Sequence, residues 1–188
     1  MKLADCLHPA YSRYGLRFYF NGGNSFMDFL SFSGTVTMIS DFWTGPNDED
    51  GGCYQLFEVD NGYGNVVNFV VEPDTYFVDH AVVAIGDPVT GFYDADAPVP
   101  LIYPPQYRAI VMAIDTPYQS VKVDYFNNQL VSSDGSLKVN ISSTTLIVLE
   151  NGQLFNRNPA NRNLIVVYSA TTRSIPAQTT PSQIIVLC

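Results

Sequence analysis

Three cysteines and two histidines hold most of the reactive chemistry in this 188-residue chain. The thiols are Cys6, Cys53 and Cys188, with no CxxC pair and no Cys/His clustering of the kind that binds zinc. An odd number cannot pair completely within one chain, so either a thiol stays free or bonds form between copies. Two of the three lie near the chain ends, and an end reaches a neighbour with little strain once the Cα atoms come within about 7 Å. All three are therefore candidates for intermolecular disulfides, set against the alternative of reduced thiols in a cytosolic protein.

The histidines, His8 and His80, offer less. Asp79 and His80 are adjacent, but neighbours on a strand point to opposite faces, so adjacency does not make a catalytic pair. There is no G-x-S-x-G elbow, H-E-x-x-H pair or Walker loop. The tract FWTGPNDEDGGCY (42–54) gathers three acids before two glycines, yet lacks the alternating acids and terminal Glu of a calcium loop. A solvated strand connection is the expectation there. The chain is read as a non-enzyme with no cofactor and no metal, although carboxylates converging from distant strands leave no local pattern.

Such residues must be positioned by β-structure. Apolar residues make up 46% of the chain and charged ones only 14%. Val, Ile, Tyr, Phe and Thr recur between Gly and Pro punctuation, with no sustained helical spacing, so an all-β fold is expected. No apolar run approaches the roughly 20 residues of a membrane-spanning helix, and MKLADCLHPAYSRYG does not read as a signal peptide.

Two segments, GFYDADAPVPLIYPPQYRAIVMA (91–113) and VVYSATTRSIPAQTTPSQIIVLC (166–188), pass through the same sequence of events. Each has a strand ending in Tyr, a loop with Pro, and a closing apolar run. Aligned without gaps they match Tyr93 with Tyr168, Ala95 with Ala170, Ile110 with Ile185 and Val111 with Val186. A duplication follows, with a first unit over 31–117 and a second over 118–188. Residues 1–30 precede both as an aromatic-rich arm or hairpin. Phe18, Phe20 and Phe26, with Arg13 and Arg17, are candidates for burial in another copy's sheet.

Strands are expected at FSGTVTMIS, CYQLFEV, VVNFVVE, SVKVDYFNNQLVSS, SLKVNISSTTLIVL and LIVVYS, with turns at DNGYGN, Gly86-Asp87, Asp134-Gly135 and Asn151-Gly152. The order is strand, hairpin, a short strand begun by Thr, the turn Ile85-Gly86-Asp87-Pro88-Val89, and a closing strand. It resembles the small oligonucleotide/oligosaccharide-binding barrel, or OB-fold, of uncharacterised Gram-positive surface and spore proteins. The resemblance implies two tandem small β-barrels after the arm. The terminal cysteines add a weaker analogy to cysteine-locked spore appendages.

Charge is unevenly placed. Residues 31–117 hold thirteen acids against Arg108 alone, a net −12. Residues 118–188 carry +2 and residues 1–30 carry +1, giving −9 overall. An acidic, aromatic-rich unit repels phosphate, so nucleic acid is not an expected partner. Neutral glycans remain compatible with exposed Tyr and Trp43. The polarity suits head-to-tail contact between copies. The reading is therefore a structural subunit that self-assembles into a filament or lattice on a spore or cell surface, or in a virion. The alternative is a monomeric module binding a glycan, peptide or cation.

Overall fold

In the computed structural model, residues 27–43 and 51–188 are described. The first half of the chain supplies β1 (Phe29–Asp41), β2 (Gln55–Asp60), β3 (Val66–Val71), β4 (Tyr76–Phe77), β5 (Pro88–Asp94), β6 (Gln106–Arg108) and β7 (Val111–Ile114). The second half supplies β8 (Ser120–Phe126), β9 (Leu137–Val139), β10 (Leu146–Leu149), β11 (Arg162–Tyr168), β12 (Ala177–Thr179) and β13 (Gln183–Val186). A 3-10 turn, Val78–His80, follows β4.

The long β1 serves two neighbours. Its first half pairs with β5 and its second half with β2, with a register shift between Val36 and Met38. Gly34 sits near this changeover because a Cβ there would run into the Asp60 carbonyl oxygen, a backbone atom that cannot swing away. The β2–β3 hairpin turns where Asn61 Oδ1 accepts from the amides of Tyr63 and Asn65, and Gly62 and Gly64 take positive φ.

Strand order in the first sheet is β4-β7-β5-β1-β2-β3-β6. The second half holds β10-β13-β11-β8 and the pair β12-β9. Two isolated bridges, Phe126 with Ser132 and Val131 with Lys138, stand between β8 and β9 where the first half has β2. Both halves thus carry the same pairing order, with β2 reduced to two bridges in the second.

Side chains mark the correspondence. Thr75 Oγ1 donates to the Ala109 carbonyl and accepts from the Glu72 amide. Thr145 Oγ1 likewise donates to the Pro181 carbonyl and accepts from the Ser142 amide. The Ile110 amide donates to the Phe92 carbonyl, and the Ser182 amide to the Val167 carbonyl. Ile110 therefore corresponds to Ser182, not to Ile185 as the gap-free alignment has it. The preceding loop spans 95–105 in the first half and only 169–176 in the second, which moves the register by three residues.

The expected tandem OB-like barrels are not found. β4 and β6, the outermost strands of the first sheet, do not pair with each other, so nothing closes. Instead β6 stacks parallel on β3, β7 on β4, β12 on β9 and β13 on β10. Each return of the chain lies on an earlier pass. The chain is all-β and winds as a β-solenoid of about three turns with mixed sheets. Turn chemistry read from sequence specifies hairpins, whereas parallel partners lie far apart along the chain and leave no local mark. The segment SLKVNISSTTLIVL also differs from expectation, breaking into β9 and β10 around the Ser142–Thr145 turn.

Three apolar clusters follow from this winding. One fills the first half around Val36, Phe57, Val59, Phe69, Val89 and Met112. Another fills the second half around Phe126, Leu137, Leu164, Val166, Ile184 and Val186. Between them, Phe92, Val111 and Ala113 of the first half meet Val123, Ile165, Val167 and Ile185 of the second. β7, β11 and β13 are buried on both faces, which is why they read as continuous apolar runs. No helix among the described residues is long and apolar enough to cross a membrane.

Candidate functional site

β5 and β6 bring two tyrosines together although they are fourteen positions apart. The rings of Tyr93 and Tyr107 stack with centroids 4.0 Å apart and planes 16° from parallel. Phe69 tilts against Tyr93 from the core side at 6.2 Å. Burial, and then the neighbouring Tyr107, hold the Tyr93 phenol above its usual pKa.

The loop 95–105 leaves this stack and folds beside it, bordering an open cleft of about 100 Å³. Asp94 shapes the loop: its Oδ1 accepts from the Asp96 amide, and its carbonyl accepts from the Ala97 amide. Pro98, Val99 and Ile110 give the cleft apolar walls. Beyond it the loop projects Leu101 and Tyr103, 104% and 81% exposed.

Arg108 also lines the cleft, with its charge already engaged. Nε donates to Glu72 at 2.7 Å and Nη2 to Asp74 at 2.6 Å. Burial alone would lower the guanidinium pKa, but the two carboxylates outweigh it and raise it. Asp94 is the one carboxylate of the lining, and with Glu72 and Asp74 engaging Arg108 nearby, carboxylates outnumber the guanidinium in this neighbourhood. An aromatic stack, apolar walls and surplus carboxylate suit a neutral or cationic group with an apolar body.

The corresponding loop of the second half, 169–176, is a compact knuckle. Thr172 Oγ1 bonds Ser174 Oγ at 2.7 Å and accepts from the Gln178 amide at 2.9 Å. Ser174 Oγ donates to the Pro176 carbonyl, and Thr179 Oγ1 to the Ala170 carbonyl. Arg173 and Ile175 stand out from this frame, Ile175 being 96% exposed.

A second cleft, about 300 Å³, lies where the halves join and is lined by Val78, Asp79, Ile114, Thr116, Tyr118 and Gln119. Asp79 accepts from Gln119 Nε2 at 2.9 Å, while the His80 ring meets Tyr76 edge-on at 5.7 Å. Both take positive φ, 59° and 51°. The adjacent Asp and His thus engage different partners.

Ion pairs among the described residues stay within one half: Arg108 with Glu72 and Asp74, and Lys122 with Asp124 and Asp134. Arg162 lies 5.4 Å over the Phe155 ring. No cluster of three His, Cys, Asp or Glu side chains among the described residues is placed to hold a metal ion. The expected disulfide is not seen: Cys53 and Cys188 are both free and exposed. Cys6, Arg13, Arg17, Phe18, Phe20 and Phe26 lie outside the described residues, as do the acids 48–50.

Sequence reading singled out neither the tyrosine stack nor the knuckle. The usable signal was Tyr at both edges of one Pro-rich loop, and Arg-Ser-Ile in its shorter counterpart. No protein-family model, curated protein or solved structure matches the chain.

Proposed function

We propose that the chain is a structural subunit that self-assembles head to tail, the acidic first half of one copy meeting the basic second half of the next, in a filament or lattice on a spore or cell surface. One observation carries the reading. The halves join through an apolar cluster and, among the described residues, form no ion pair with each other, so the opposite charges of those residues are left for other contacts.

Sedimentation velocity over a concentration series tests this, at low salt and at about 0.5 M salt, with and without reductant. Large species that shrink with salt are expected. A single monomeric species under every condition removes the reading.

The tyrosine-lined cleft favours a second reading, a monomeric module that takes a neutral glycan. Saturable binding of oligosaccharide by a monomer, lost in Tyr107→Ala, would replace assembly with it.

A further inference from the structure

We infer that the cleft beside Tyr93 and Tyr107 is the socket for the Arg173–Ile175 knuckle of a second copy. The inference rests on the head-to-tail reading above and names the contact that makes it.

The two loops are counterparts in the shared pairing order, yet have opposite shapes. The longer one folds back to leave a concave, apolar site with Asp94 in its wall. The shorter one is convex and presents a cation next to an exposed aliphatic side chain. Charge and polarity are complementary in kind. Asp94, whose carboxylate caps its own turn and faces no cation in an ion pair among the described residues, is available to the Arg173 guanidinium. The tyrosine stack is an aromatic surface of the kind guanidinium groups favour. Pro98, Val99 and Ile110 are the apolar counterpart of Ile175.

Arg108 would repel an incoming arginine were it free. Its forked pairing with Glu72 and Asp74 engages that charge and leaves Asp94 as the charge of the lining turned to a cation. On the other side, the hydrogen bonds of Thr172, Ser174 and Thr179 fix the knuckle before binding, so little backbone entropy is lost on docking. Every copy offers one socket and one knuckle on different halves. Such a contact is heterologous and continues from copy to copy unless a rotation closes it.

The experiment uses the full chain at low salt, with reductant present to exclude disulfides, and reads association by sedimentation velocity. Arg173→Asp is expected to weaken association about tenfold, and Arg173→Lys to weaken it less. Asp94→Arg is expected to weaken it similarly, and the double variant Asp94→Arg/Arg173→Asp to restore it. Since Asp94→Arg alters a turn, a second measurement stands apart from it. Val99→Cys/Ile175→Cys, in a chain with Cys6, Cys53 and Cys188 replaced by Ser, is expected to form a reducible ladder on mild oxidation.

Wild-type assembly with Arg173→Asp assembling equally well, and no ladder, overturns the socket while leaving head-to-tail assembly standing. A wild type that stays monomeric at all concentrations overturns both.

Discussion

The tip of the Phe69 ring occupies the place where a side chain on Gly91 would begin: a Cβ there would lie 2.5 Å from Phe69 Cζ. Phe69 is fully buried and carries the tilted contact to Tyr93, so this glycine sets how deep the ring sits beneath the tyrosine stack. Gly91→Ala is expected to cost about 1–3 kcal/mol, the usual range for overpacking, in urea unfolding. It should also change the near-ultraviolet circular dichroism of Tyr93 and Tyr107. Unchanged stability would mean that the core has slack around Phe69.

The cluster between the halves makes a different prediction. Ile165 is fully buried there among side chains from both halves. Ile165→Ala is expected to lower stability by about 2–5 kcal/mol while urea unfolding stays a single transition. Two separated transitions in the wild type would show that the halves do not depend on this cluster.

A pH dependence is expected from Lys122. Its ammonium bonds Asp134 at 2.6 Å and lies 3.3 Å from buried Asp124. Burial alone would raise the Asp134 carboxyl, but Lys122, Ser132 and Ser136 outweigh it and hold it well below the usual carboxylate range. A carboxyl depressed in the folded state contributes its full stability above the unfolded value of about 4 and loses it as pH falls further. Lys122→Met is expected to cost about 1–3 kcal/mol at pH 7, because it leaves Asp124 buried without its cation. It should also flatten the fall in stability below pH 4, measured by urea midpoints from about pH 7 down to about pH 2. An unchanged acid limb would exclude this pair as its source.

Thiol chemistry offers a direct check on surface placement. Cys53 and Cys188 are exposed and unpaired, so a disulfide-exchange reagent should modify both in the native, reduced protein without a denaturant. Peptide mapping identifies them. Protection of Cys188 in concentrated but not dilute protein would place that end of the chain in a contact between copies.

Local chemistry was legible in the sequence wherever the chain turns back on itself. The alternation in β1, the β2–β3 hairpin around Asn61–Asn65, and the Gly86-Asp87 turn all form as the residues indicate. The architecture was not legible, because its decisive pairs join β3 to β6 and β9 to β12 across long separations. The apolar runs at 110–114 and 184–187 look in the sequence like seams that close two barrels, whereas they are layers packed on both faces. Likewise the Tyr93–Tyr107 stack depends on the path of the 95–105 loop, which no spacing rule describes.

The reduction of β2 to the bridges at Val131 and Ser132 has a use in protein engineering. One pairing order is held with a six-residue strand in the first half and with isolated bridges in the second. Hairpin size at that position is therefore not what holds the sheet together. The exposed turn between β2 and β3, around Tyr63, is accordingly a place to carry guest peptides, so that any array built from the chain would display them at the spacing of its own subunits.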